Sequence, residues 1–288
     1  MTIALSTPEP EGLTEVVDAL REWQHEGQPI QLHPGDLGWF WRFGARATAA
    51  AVRTWSRDGR ILAVGLLDGP RLFRLTTAPQ VRRDGELARR LADDVTRPER
   101  GVLGPGAADV EAPMDSPVHD LLAERGWRPG EPWTPLRHDL TEPLPDPGVR
   151  IEVAGPERVG DRVAVQRASF DSSTFTDERW HAMAAGAPYA DARCLVAYDE
   201  QGTAVATVTV WSAGPGRPGV LEPLGTHRDH RGRGYGRAIA VAATAALRDL
   251  GSSSALVCTP TANTAGVATY VSAGFRRLPG VRDSSREG

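Results

Sequence analysis

The sequence predicts an α/β (α+β) chain built from two tandem domains, and three observations carry that reading. Strand-like and helix-like patterns alternate through the second half. A proline-rich connector divides the 288 residues near their middle. Landmarks of the first half then recur in the second at a nearly constant offset. The composition, 40% hydrophobic and 24% charged, belongs to a soluble globular protein of one large or two ordinary domains.

Composition also narrows the function classes. The first residues, MTIALSTPEPEGL, lack the basic start and long apolar run of a secretory signal. No stretch approaches the roughly 18 uninterrupted apolar residues of a membrane span, so a cytoplasmic, membrane-free protein is expected. Cys194 and Cys258 sit far apart in apolar runs and read as reduced packing residues. All 33 basic residues are arginine; lysine is absent. A formal charge of −4 argues against a nucleic-acid partner, which needs a basic face.

The connector is Thr141 to Gly148, TEPLPDPG. Proline fixes φ and restricts its predecessor, so this segment reads as extended and semi-rigid. It separates residues 1–140 from 149–288. LLAERGWRP (Leu121 to Pro129) and YVSAGFRRL (Tyr270 to Leu278) both read as a helix turn stopped by glycine before an aromatic that opens a strand. Gly126 and Gly274 lie 148 apart. Arg82-Arg83-Asp84-Gly85 echoes Arg231-Gly232-Arg233-Gly234 at 149, and the pair of matches reads as an internal duplication.

In the second half, 149–153 reads as a short strand, and 157–168 and 176–185 as helices. Residues 193–198 and 204–213 form a hairpin about Asp199-Glu200-Gln201-Gly202, because TAVATVTVW is β-branched and alternating. Residues 219–226 make a third strand. Over 237–250, Ile239, Ala242, Ala246 and Leu250 share one helix face before Gly251 ends it. A strand at 255–259, a helix at 263–273 and a strand from Phe275 complete the order β-α-α-β-β-β-α-β-α-β.

His227 to Ala238, HRDHRGRGYGRA, therefore joins a strand to a helix. Helix N-termini carry unpaired N–H groups and about half a positive charge, which suits a phosphate. Gly232, Gly234 and Gly236 remove the Cβ atoms that would hold a phosphate away, and Arg231, Arg233 and Arg237 add charge. A P-loop would need a lysine, and a dinucleotide fingerprint would need G-x-G-x-x-G rather than G-x-G-x-G. His227 and His230 lack a third ligand, so no metal is expected.

Arg231-x-x-Gly234-x-Gly236 resembles the R/Q-x-x-G-x-G/A motif of the GNAT superfamily of N-acetyltransferases. Asn263, Tyr270, Gly274 and Phe275 resemble its N-x-x-A-x-x-x-Y-x-x-x-G-F pattern, with Gly266 in place of alanine, and the likeness covers residues 149 to about 278. It implies two GNAT-like domains, each a mixed, mainly antiparallel sheet flanked by helices. It further implies that Arg231, Gly232, Arg233, Gly234, Tyr235, Gly236 and Arg237 cradle the pyrophosphate of acetyl-CoA, the cosubstrate. Leu224, Gly225 and Thr226 would run beside its pantetheine arm, with Gly225 permitting a bulge. Asn263 would bond that arm or brace the next helix.

The implied reaction is direct transfer of acetyl from acetyl-CoA to a primary amine of a small molecule or peptide. An alkylamine near pKa 10 must lose a proton before attack. Glu222, four residues before Thr226 and so on the same strand face, is the candidate base, unless it is merely exposed. Tyr270 resembles the acid that assists the leaving thiolate. A non-catalytic acyl-CoA-binding sensor or scaffold on the same fold is the competing reading.

Under the offset, the second loop glycine becomes Leu87, whose side chain would obstruct a pyrophosphate; Tyr270 and Asn263 become Leu122 and Asp115. The first half then has no working cofactor site. Six of eight tryptophans lie there, and GWFWRFG (Gly38 to Gly44) is either core, a wall of the acceptor pocket or a dimer surface. Monomer and homodimer both remain open. Asp171, Asp177 and Glu178 are acids that could attract an amine or cap a helix. The polar tail after Phe275 leaves the last strand pairing open.

Overall fold

The computed structural model describes residues 2–28, 30–141 and 143–288; Glu142 of the connector lies outside the described residues. The N-terminal half runs β1 (Ala4–Ser6), α1 (Leu13–Trp23), α2 (Pro34–Phe40), α3 (Ala45–Ala51), β2 (Val52–Arg57), β3 (Arg60–Leu67), β4 (Leu72–Thr77), α4 (Gly85–Thr96), β5 (Ala108–Glu111), α5 (Val118–Ala123) and β6 (Arg128–Asp139). The C-terminal half runs β7 (Arg150–Val153), α6 (Val159–Ser169), α7 (Asp177–Ala184), β8 (Ala192–Tyr198), β9 (Ala204–Trp211), β10 (Gly219–Thr226), α8 (Tyr235–Asp249), β11 (Ser254–Pro260), α9 (Thr264–Ser272), β12 (Arg276–Arg277) and β13 (Val281–Arg286). The expected element order is present in the second half, with ends displaced by a residue or two.

The repeat is visible in hydrogen bonds. At the end of α5, Trp127 N–H donates to Leu122 O and Gly126 N–H to Ala123 O, at 3.1 and 3.0 Å. At the end of α9, Phe275 donates to Tyr270 and Gly274 to Val271 at the same two distances. Both glycines are left-handed, at φ +86° and +95°, which a side chain would strain. The aromatic after each is buried.

The halves exchange their last strands. β6 pairs antiparallel with β11 from Ser254↔Asp139 to Pro260↔Trp133, so it completes the sheet of the second half. β13 pairs with β5 through Ser284↔Val110 and Arg286↔Ala108, and with β6 on its other side. The result is one sheet ordered β1-β2-β3-β4-β5-β13-β6-β11-β10-β9-β8-β7, mostly antiparallel, with parallel pairs β4–β5 and β10–β11. The polar tail thus does pair, through its backbone, which needs no apolar side chains. The connector divides the sequence into halves without dividing the sheet. It must also run from β6 near the sheet centre to β7 at its edge, a span that suits an extended proline-rich segment.

Helices cover both faces. α8 and α9 pack on one face of the second half around Ile239, Val241, Leu247 and Phe275. α6 and α7 pack on the other around Val163, Trp180, Met183 and Trp211. GWFWRFG belongs to the seam between halves. A Cβ on Gly38 would stand 2.3 Å from the Trp211 ring, Trp39 stacks on Phe175 at 5.3 Å, and Trp41 lies against Gly186. Only glycine lets α2 approach Trp211 so closely.

The seam also contains a pH-sensitive cap. His33 Nδ1 accepts from Gly35 N–H at 2.9 Å, so Nε2 carries the proton and donates to Pro218 O of the other half at 3.1 Å. Burial lowers its pKa from 6.5 to about 4, against the pull of Asp36. A depressed folded-state pKa means stability present above the unfolded value is lost as pH falls from about 6.5 through about 4, by up to about 3 kcal/mol. His33→Asn retains a side-chain acceptor without that titration. Urea midpoints at pH 7 and pH 4.5 should therefore fall less in His33→Asn than in wild type, and equal falls would contradict the assignment.

Candidate functional site

Between β10 and β11 the sheet opens. The two strands pair only at Gly219↔Ala255 and Val220↔Leu256 and part beyond. A groove of about 640 Å³ follows the opening. Leu224, Gly225 and Thr226 line it from β10; Arg231, Gly232, Gly234, Gly236 and Arg237 line it from the loop and α8; Asn263 and Tyr270 line it from α9. Arg233 stays exposed beside the loop, and Tyr235 is half-buried on the core beneath α8. One continuous groove thus collects most of the residues singled out in the sequence.

At the loop end, Gly232 and Gly234 have φ +76° and +87°. Gly234 is the N-cap of α8 and no side chain caps that helix; the first bond along it is Ala238 N–H to Gly234 O. The amides of Tyr235, Gly236 and Arg237 are left without a helical partner, as at any helix start that could take an anion. A Cβ at Gly236 would lie 3.1 Å from Thr269 and 3.2 Å from Thr226. The arginines do more than supply rim charge. Arg231 donates to Ser169 O at the end of α6, Arg237 to Ser272 O at the end of α9, and Arg228 to Ala168 O. Cations at helix C-termini are favoured by the dipole and here fix the loop to its neighbours.

Asn263 braces the start of α9 from the groove wall. Its Oδ1 accepts from Gly266 N–H at 3.1 Å and its Nδ2 donates to Thr259 Oγ1 at 3.0 Å. A Cβ on Gly266 would stand 2.4 Å from Asn263 Nδ2, which explains glycine where alanine was the pattern. Gly225 is not the bulge. A Cβ there would strike Ser169 at 2.6 Å, so glycine serves the close approach of α6. The bulge lies earlier, at Glu222-Pro223, where the β10–β9 register shifts between Leu221 and Leu224. Pro223 has no N–H to lose from the ladder, and Trp211 Nε1 donates to the freed Glu222 O at 2.7 Å.

That bulge corrects the placement of Glu222. The extra residue breaks the two-residue alternation, so Glu222 does not share Thr226's face and does not line the groove. It faces a cluster supplied largely by the first half. Arg74 of β4 lies at the centre, 2.8 Å from Asp36, 3.0 Å from Glu111 and 3.9 Å from both Asp68 and Glu222. Four strands separate β4 from β10, about 24 Å along a flat sheet, so the contact requires the sheet to curl around this point. The side chains of Glu222 (34% exposed) and Glu111 (27%) are hemmed in by protein yet open on one side, as groups lining a cleft are.

Burial pushes the Glu222 carboxyl up to about 8; Arg74 opposes this, and Asp36 and Asp68 add to it. Burial likewise raises Glu111, and Asp283 to about 6. Tyr270 is raised above the ordinary phenol range, first by burial and then by the charge of Glu222, which places the two groups in one electrostatic neighbourhood. The acids first considered for the acceptor lie elsewhere. Asp171 pairs with Arg228 at 3.1 Å, and Asp177 and Glu178 open α7 behind the Thr176 cap. Among the described residues no group of three or more His, Cys, Asp or Glu is arranged to hold a metal ion.

The first half lacks the cradle, for a reason other than the one expected. Leu87 points into the core and obstructs nothing. Asp84 Oδ1 itself caps α4, accepting from Glu86 and Leu87 N–H at 2.8 and 3.1 Å. A carboxylate occupies the position an anion would need. Arg82 is buried and spent on Gln28 and Gln31.

Residues 162–275 match the acetyltransferase (GNAT) family. The whole chain resembles a GCN5-related N-acetyltransferase from Sphaerobacter thermophilus, 19% identical, TM-score 0.61, over 99% of this chain and 95% of that one. It also resembles a tandem GNAT protein from the clavulanic acid biosynthesis pathway, 16% identical, TM-score 0.62, over 99% and 98%. A GNAT-family acetyltransferase from Colwellia psychrerythraea is 14% identical, TM-score 0.63, over 100% of both chains. No curated protein matches by sequence. Residues 162–275 thus resemble a GNAT family domain, and the chain as a whole shares the fold of these tandem GNAT structures.

Proposed function

We propose that the protein is an acetyl-CoA-dependent N-acetyltransferase with one working site, in its C-terminal half, acting on a primary amine by direct attack in a ternary complex. The observation that carries this reading is the uncapped, glycine-lined start of α8 opening into a groove that reaches Tyr270. When bound, acetyl-CoA supplies an acyl group activated as a thioester. The amides of residues 235–237 and the arginines of the loop are the groups that hold its pyrophosphate. Beyond Val220, the edge of β10 turned toward β11 has no strand partner, so its peptide groups are free to bond an extended arm. Tyr270, kept protonated by burial, is the proton donor to the leaving sulfur.

Glu222 is the base. Its elevated pKa matches proton removal from an ammonium near neutral pH better than an ordinary carboxylate would. Four further carboxylates, Asp36, Asp68, Glu111 and Asp283, surround Arg74, and this surplus of acid favours an acceptor that arrives as a cation. The test is release of free CoA across polyamines, aminoglycosides, amino acids and peptide N-termini. Release with one class supports the proposal; firm acetyl-CoA binding with no release on any class would favour a sensor.

A further inference from the structure

Arg74 and Glu222 stand 148 residues apart, the offset that relates Gly126 to Gly274. The nearer landmark, Arg82 to Arg231, is offset by 149, so the two residues fall within one position of equivalence in the repeats, on strands β4 and β10, and meet where the sheet curls. Opposite charges thus come together close to one pseudo-symmetric point. We propose that Arg74, contributed by the half without a cofactor site, is a positioning residue for the acyl transfer of the other half, orienting the Glu222 carboxylate as the base. The inference rests on the reading of Glu222 given above.

Geometry supports it from several sides. The Arg74 guanidinium is itself fixed, by Asp36 on α2 at 2.8 Å and by Glu111 on β5 at 3.0 Å, and its side chain is only 15% exposed. With Nε held by Glu111, the Nη1 that bonds Asp36 is also the nitrogen nearest to Glu222 and Asp68, each at 3.9 Å, so its position is fixed by two carboxylates. That distance is too long for a hydrogen bond and short enough for strong attraction in a cleft. A carboxylate bonded tightly to arginine would be a poor base; one held at this range stays available. The charged and titratable neighbours of Glu222 are Asp36 on α2, Arg42 in the turn after α2, Asp68 in the β3–β4 turn, Arg74 on β4 and Tyr270 on α9. Arg42 is occupied by Trp39 O at 2.7 Å and by the faces of Trp39 and Phe43. Arg74 is therefore the cation that acts most directly on Glu222, and it lowers the carboxyl's pKa while Asp36 and Asp68 raise it.

The experiment follows Glu222 itself, so it needs no identified acceptor. Protein labelled with carbon-13 at the glutamate carboxyl is titrated by NMR, and the Glu222 signal is assigned by its loss in Glu222→Gln. Arg74→Met should move the midpoint up by about one pH unit or more, the usual effect of removing an opposite charge at this range. Arg74→Lys should restore most of the shift. Asp68→Asn, in an accessible turn, should move the midpoint down, and it decides the matter alone if Arg74→Met does not fold. With an amine accepted by wild type, the rising limb of kcat/KM against pH should move with the midpoint. A midpoint unchanged by Asp68→Asn or by a folded Arg74→Met overturns the inference. Failure of the underlying reading is distinct: full turnover in Glu222→Gln would remove Glu222 as the base whatever the titrations show.

Discussion

Tyr270→Phe is expected to lower kcat by roughly 10²–10⁴-fold, the span of general acid–base assistance, while leaving acetyl-CoA affinity nearly unchanged. The separation follows from the site. The proposed pyrophosphate cradle is the set of amides of residues 235–237, a helix away from the phenol, and the Tyr270 ring keeps its packing on Phe275 at 5.6 Å when only the hydroxyl is removed. Burial and then the neighbouring Glu222 charge both raise the pKa of that hydroxyl, so it keeps its proton near neutral pH, as the proposed role requires. Steady-state rates set beside calorimetric binding give the two quantities independently. Wild-type turnover in the variant would take Tyr270 out of the chemistry.

Deleting residues 279–288 is expected to abolish cooperative folding of the chain, an effect out of proportion to a polar ten-residue tail. β13 lies between β5 and β6, so its loss opens the sheet at its centre rather than at an edge. Backbone ladders on both sides disappear, with the bonds of His119 to Ser284 Oγ at 2.9 Å and of Arg286 to Gly104 O and Gly106 O. At about 1 kcal/mol for each net hydrogen bond, the sum approaches the 5–15 kcal/mol margin of an ordinary domain. Urea denaturation followed by circular dichroism reports the outcome. A truncated chain with an unaltered midpoint would mean that the strand exchange contributes little.

Most of the second half could be read from residues because its signals are local. The alternation in TAVATVTVW, the glycine stops at Gly251 and Gly274 and the glycine–arginine loop each specify a conformation within a few residues. What escaped is settled by partners distant in sequence. Nothing in β6 says whether it pairs within its own half or with β11, since an antiparallel edge accepts either strand. Asp36, Asp68 and Glu111 lie more than a hundred residues from Glu222, and only the curled sheet brings them to Arg74. The bulge at Glu222-Pro223 reversed a face assignment that had counted every second residue; proline inside a strand was the available warning.

The first half shows the same division. The absence of a glycine-lined helix start was legible in its sequence, and what occupies the start of α4 is Asp84, an N-cap recognisable from its place before Gly85 and Glu86.

Calorimetric titration of the intact chain with acetyl-CoA tests the central claim most directly. α8 offers an uncapped N-terminus in a glycine-lined groove, whereas α4 is closed by its own carboxylate. One acetyl-CoA bound per chain is the expected stoichiometry. Two per chain, or none, would contradict it.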